Sequence, residues 1–91
     1  NLDRARRVLT RAGLAAHAAG EPKLAVQLFL DAAEAAVADG QNEAAWLPAL
    51  RAGYVLRTAG FTSEERADLL ARVTYADQPP FLQTVSPLAK Q

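Results

Sequence analysis

Cysteine is absent from the sequence. Disulfides, thiolate metal sites and thiol nucleophiles are therefore excluded, and cysteine usage says nothing of the redox compartment. Histidine occurs once, so a site built on several imidazoles cannot form within one chain. Neither sign of charge is in surplus: ten Lys and Arg balance ten Asp and Glu. That balance argues against broad, sequence-independent nucleic-acid binding, which needs a positive surplus to displace counterions. It argues equally against a polybasic membrane anchor. No uninterrupted apolar run approaches the roughly 20 residues of a membrane span, and no secretory leader is visible. The expectation is a cytoplasmic protein with no membrane partner. Because the chain begins at Asn1 rather than Met, it reads as a fragment or a processed product.

What the 91 residues do have is apolar content, 51% of the chain, much of it alanine. That is ordinary for a folded protein. The length allows one domain with a modest core. Alanine is the best helix former and lets helices approach closely. Periodicity predicts an all-α fold of four helices in two antiparallel hairpins over residues 1–73, followed by a proline-containing tail over 74–91.

The first helix is expected over about 2–19, with Leu2, Ala5, Val8, Leu9, Ala12, Ala16 and Ala19 recurring at spacings of three and four. Gly20 is its left-handed stop. The second opens at Glu21-Pro22, proline being favoured where its missing N–H costs nothing. Ala25, Leu28, Phe29, Ala32 and Ala36 form its stripe, and Asp39-Gly40 ends it. The third opens at Asn42, an N-cap residue, with Ala45, Trp46, Ala49, Ala52, Gly53, Leu56 and Ala59 on one face. Pro48 interrupts it: either the helix kinks there or its regular part begins near that residue. Gly60 ends it. The fourth opens on Thr62-Ser63-Glu64-Glu65, a capping box with Thr62 as N-cap and Glu65 reaching back, and Ala67, Leu69, Leu70 and Val73 face inward. In the tail, Phe81, Leu82, Val85 and Leu88 either dock as a short cap or belong to a linker.

One frame occurs twice: RAGLAAHAAG at 11–20 and RAGYVLRTAG at 51–60. Gly13 and Gly53 each sit inside a predicted helix, seven residues before a terminating glycine. Interior glycine costs about 0.5–1 kcal/mol relative to alanine. A cost accepted twice at the same relative position points to close passage of a neighbouring helix. The pattern resembles the tetratricopeptide repeat, a helix–turn–helix unit of about 34 residues. Gly13, Gly20, Ala25, Phe29 and Ala32 stand at that family's spacing. Leu9 stands where tryptophan is common and Ala16 where tyrosine is common, and the closing proline is missing. In the second unit Gly53 and Gly60 fit, whereas Glu65, Leu69 and Arg72 replace the usual alanine, aromatic and alanine. The two glycine pairs are 40 residues apart (13 and 53). A generic antiparallel four-helix arrangement is the alternative.

The resemblance implies a concave face lined by the first helix of each hairpin. In the first unit these residues are Arg7, Thr10, Leu14 and His17; in the second they are Leu47, Leu50, Tyr54 and Arg57. Together they would make an apolar groove with a basic edge, suited to an amphipathic helix or extended segment carrying a carboxylate. The plainer expectation for Leu47, Leu50 and Tyr54 is core. Some members of the family clamp a terminal carboxylate with lysine and asparagine. Thr10 and Leu14 occupy the first two clamp places, so the resemblance does not carry that activity.

The remaining polar residues have structural readings. Arg4, Arg7 and Arg11 share a helix face that meets solvent or, alternatively, phosphate or an acidic partner. Arg7 is placed to pair with Asp3, four residues earlier. Asp31, Glu34, Asp39 and Glu43 form a solvated acidic stretch, and Glu64 and Glu65 serve the fourth helix's start. Trp46 is expected in the core rather than as an interface anchor. His17 has no carboxylate nearby on its own helix to make it a base. No glycine-rich phosphate loop, metal-ligand spacing or nucleophile–base pair appears, so no enzyme and no cofactor is expected. The expected role is a protein–protein interaction module holding a protein or peptide on its concave face. Its alanine- and arginine-rich style resembles the helical repeat regions of large bacterial transcription regulators. The alternative is a self-associating structural domain, a homodimer burying Tyr54 and Leu50. Nucleic acid is not expected as a partner.

Overall fold

The computed structural model describes residues 1–71, and within them the chain is all-α. Four α-helices follow one another: α1 (Leu2–Ala18), α2 (Pro22–Ala38), α3 (Trp46–Thr58) and α4 (Ser63–Ala71). A single 3₁₀ turn (Asn42–Ala45) leads into α3. The expectations for Arg72, Val73 and the tail 74–91 lie outside the described residues.

Each junction has an identifiable chemical cause. Asn1 caps α1, its side-chain Oδ1 accepting from the Arg4 N–H at 3.1 Å. At the other end Gly20 takes φ +78°, a conformation open to glycine. The Gly20 N–H donates to the His17 carbonyl and the Glu21 N–H to the Ala16 carbonyl. The same pair of bonds recurs after α2, from Gly40 (φ +73°) to Val37 and from Gln41 to Ala36. This doubled closure satisfies carbonyls that a helix end otherwise leaves orphaned. Pro22 opens α2 as expected.

Two departures concern the third helix. Asn42 is not its N-cap but the first residue of the 3₁₀ turn. Of the two expectations for Pro48, the structure takes the second: α3 begins at Trp46, and Pro48 is its third residue. There the missing N–H falls among the donors of a first turn, which have no intrahelical acceptor.

Helix α2 packs against both α1 and α3 and is the centre of the molecule. Phe29, Leu30 and Val26 of α2 are sealed from solvent with Leu56 and Val55 of α3. Small residues fill the spaces between: Ala25, Ala32, Ala33 and Ala36 on α2, Ala49 and Ala52 on α3. Phe61 and Leu69 close the core from the α4 side. Among the described residues no charged or polar side chain is buried.

Helix α1 has a single helix partner of any extent, and its inward line is correspondingly thin. Gly13 and Ala16 are buried, whereas Leu2 and Val8, expected in the stripe, are 43% and 58% exposed. Ala19, Ala59 and Ala67 are likewise exposed. The reason for the close fit at Gly13 is direct. A Cβ built there would lie 2.6 Å from Cε1 and 2.7 Å from Cδ1 of Phe29. No carbon can sit so near the ring, which is itself 1% exposed, without moving it or α1.

Two predictions follow from these contacts. Gly13→Ala would ordinarily strengthen a helix interior. Here it is expected to destabilise by about 1–3 kcal/mol in urea unfolding, because the ring or α1 must shift from its packed position. Combining it with Phe29→Leu should cost clearly less than the sum of the two single changes; strict additivity would mean that the two positions do not meet. The second concerns α4. The Thr62 N–H donates to Glu65 Oε1 at 3.0 Å, and the Glu65 N–H donates to Thr62 Oγ1 at 3.1 Å, the reciprocal box that the sequence predicts. These bonds from Thr62, with a smaller pull from Lys23, hold the Glu65 carboxyl below its ordinary range. A lowered folded-state value stabilises the fold above the carboxylate range and loses that effect as pH falls through it. Glu65→Gln should therefore be less stable than the parent near neutrality, the difference shrinking by about pH 3. A difference independent of pH would contradict it.

Candidate functional site

Antiparallel packing of α1 and α2, with α3 on one side of the pair, leaves a groove between α1 and α3. It measures about 540 Å³. The buried ring of Phe29 and the side chain of Val55 form its floor. Leu14 and His17 wall it from α1, Leu50 and Tyr54 from α3, and Arg51 and Arg57 contribute its cationic side chains. Leu14 and Leu50 are each 44% exposed and Tyr54 is 52% exposed, so three large apolar groups face water in one concavity. No carboxylate lines it among the described residues.

The walls are held together at one point. The His17 and Tyr54 rings meet edge to face across the groove, centroids 6.4 Å apart and planes at 79°. Aromatic rings favour this arrangement because the positive edge of one meets the negative face of the other. The Arg57 guanidinium carbon stands 6.0 Å from the Tyr54 centroid, the outer reach of a cation–π contact. Tyr54 is thus braced from two sides while half its surface is open.

Of the eight residues expected on the concave face, the groove collects five: Leu14, His17, Leu50, Tyr54 and Arg57. The expectation that Leu50 and Tyr54 are core gives way to exposure, as it does for Leu47, 53% exposed. Leu47 lies on α3 beyond the groove's lining. Arg7 pairs instead with Asp3 at 3.1 Å, and Asp3 also accepts from Arg6 at 2.9 Å. The Arg6 hydrogen bond, with both guanidinium charges adding to it, lowers the Asp3 carboxyl below its usual range. Thr10 donates its hydroxyl to the Arg6 carbonyl at 2.8 Å, so that hydroxyl is used within α1. The sequence reading missed Arg51, Phe29 and Val55. Arg51 follows Leu47 by four positions and precedes Tyr54 by three, the spacing that shares a helix face. Phe29 and Val55 carry no such signal, since each also belongs to the core.

Trp46 corrects the sequence expectation. It opens α3 at 45% exposure rather than filling the core. Its place at the first helical residue explains this: the preceding 3₁₀ turn directs Ala45 inward, and the next residue stands about 100° round the axis. As the chain's sole tryptophan, it should give water-like, red-shifted emission that acrylamide quenches readily. Blue-shifted, protected emission would place it in the interior.

Among the described residues no three His, Asp or Glu side chains gather closely enough to hold a metal ion. No described helix is long and apolar enough to cross a membrane. The groove is a concavity formed jointly by two helices and lined by exposed apolar groups. The chain matches no protein-family model, no curated protein and no solved structure.

Proposed function

We infer that the chain is a protein-recognition module of tetratricopeptide-like type, which holds a segment of a partner protein in the groove between α1 and α3. One observation carries the reading: Leu14, Leu50 and Tyr54 are half-exposed and face a common concavity about 540 Å³ in size. Exposed apolar groups scattered singly mean little, but convergent ones around a formed pocket are the usual signature of a binding surface. Tyr54 has the features of an anchor, an aromatic of large area held in place before binding. His17, Arg51 and Arg57 give the groove its polar character, so the partner segment is an apolar one bearing carboxylates.

The tetratricopeptide likeness is supported by the fit of Gly13 on Phe29, both at places the repeat reserves for glycine and an aromatic, and by the complete burial of Ala25 and Ala32. In a longer protein such a module would dock partners beside other domains, as in the bacterial regulators its composition resembles.

The test uses the full chain as bait for a displayed library of short random peptides. Enriched sequences should pair leucine or aromatic residues with Asp or Glu. Their affinity should fall about tenfold or more on Tyr54→Ala, as for an interface anchor, and weaken with added salt. Leu14→Ala should weaken binding too while leaving thermal stability nearly unchanged. Failure to enrich any sequence, or enriched peptides indifferent to Tyr54→Ala and Leu14→Ala, would overturn the reading. A homodimer abolished by Tyr54→Ala would do so as well, because the groove would then be occupied by a second copy.

A further inference from the structure

The α1–α2 hairpin has a second side, turned away from the groove. At about 100° per residue, Val8, Ala12 and Ala15 stand roughly 100–180° round α1 from Leu14 and His17 and so face away from the groove. On α2, Leu24 and Leu28 stand two positions from the buried Val26 and Leu30 and so on the opposite side of that helix. In an antiparallel hairpin these two rows fall on one face. It is apolar along its middle and open: Val8 is 58% and Leu24 45% exposed, and Leu28 is only partly buried.

Its two edges carry opposite charge. Arg4, Arg7 and Arg11 border Val8 on the α1 side in a shallow depression. Asp31 and Glu34 border Ala35, Ala38 and the exposed Leu2 on the α2 side. The N-terminal half of α1 and the C-terminal half of α2 lie at the same end of the hairpin, so the basic and acidic edges are level with each other. A two-fold axis running along the hairpin within this face sets α1 of one copy over α2 of the other. Heights are kept under that operation. With Gly13 level with Phe29 and a rise of about 1.5 Å per residue, Arg4 and Arg11 of each copy then bracket Asp31 and Glu34 of its mate, with Val8 laid over Ala35 and Leu28 over Ala15. A face that matches itself under a two-fold axis is what a symmetric dimer needs. The formal net charge of zero adds no long-range repulsion between copies.

We propose that this outer face of α1 and α2 is a self-association surface and that its occupant is a second copy of the chain, paired α1 against α2. The dimer leaves both grooves open on its outer sides. The pairing is independent of what the groove binds. It would present two grooves to a partner carrying two matching segments, which raises avidity without any new contact.

Sedimentation of the full chain up to about 200 µM, a range that detects weak pairing, should show twice the monomer mass. Val8→Glu, at an exposed position, should return the monomer with helix content unchanged. The paired reversals Arg4→Glu with Arg11→Glu, and Asp31→Lys with Glu34→Lys, should each be monomeric alone and should form a heterodimer when mixed. Circular dichroism checks that each variant is folded, and Arg11→Glu alone serves if the acidic-edge variant is not. A parent chain monomeric throughout, a dimer that survives both Val8→Glu and Arg11→Glu, or a mixture of folded reversals that stays monomeric would each overturn the proposal.

Discussion

The edge of the Phe29 ring lies against the bare backbone of Gly13, and the position of α1 depends on that contact. A side chain at residue 13 would need to sit within 2.6 Å of a ring that is almost completely enclosed. With no side chain there, α1 settles onto α2 at the level of Phe29. The same ring then has one edge toward α1 and another at the bottom of the groove. The contact therefore does two things. It sets the spacing of the first hairpin, and it fixes how far Leu14 and His17 stand from Leu50 and Tyr54.

The rest of the packing follows from small residues. Alanines at 25, 32, 33, 36, 49 and 52 bring α2 close to its neighbours, and the few large side chains are concentrated in one layer. Such a core is thin. Each large group matters: truncating a buried phenylalanine in a core costs about 3–5 kcal/mol. The outer helix, with one main partner, cannot bury a full apolar stripe, which is why Leu2 and Val8 remain in water. Exposed apolar surface thus arises on both sides of the hairpin for one reason. Two helices packed through alanine and glycine have too little inward-facing area to hide every large side chain.

Much of the architecture was legible in the sequence because its boundaries are local chemistry. Gly20, Gly40 and Gly60 all adopt positive φ where the helices end. Pro22 opens α2, and Thr62 with Glu65 closes the start of α4. What the sequence left ambiguous was rotation. In α1, alanines occur on nearly every side, so the spacing of Leu2, Ala5, Val8, Leu9 and Ala12 is compatible with more than one inward line. Only Gly13, through Phe29, singles out the true one. The same ambiguity placed Trp46 inside, since its partner Ala45 is buried and the shift from 3₁₀ to α geometry between them leaves no mark on periodicity. The groove was partly readable: Leu14, His17, Leu50, Tyr54 and Arg57 follow from repeat register. Its floor was not, because Phe29 and Val55 serve the core and the groove at once, and a core residue gives no separate signal of what lies above it.

The most direct measurement of the central contact is proton NMR of the intact chain. The two Hα protons of Gly13 should show strong cross-relaxation to the ring protons of Phe29 and a chemical shift displaced by the ring current. Gly13 Hα resonances at ordinary helical positions, without cross-peaks to Phe29, would mean that α1 does not rest on the ring. The groove derived from that placement would then not exist as described.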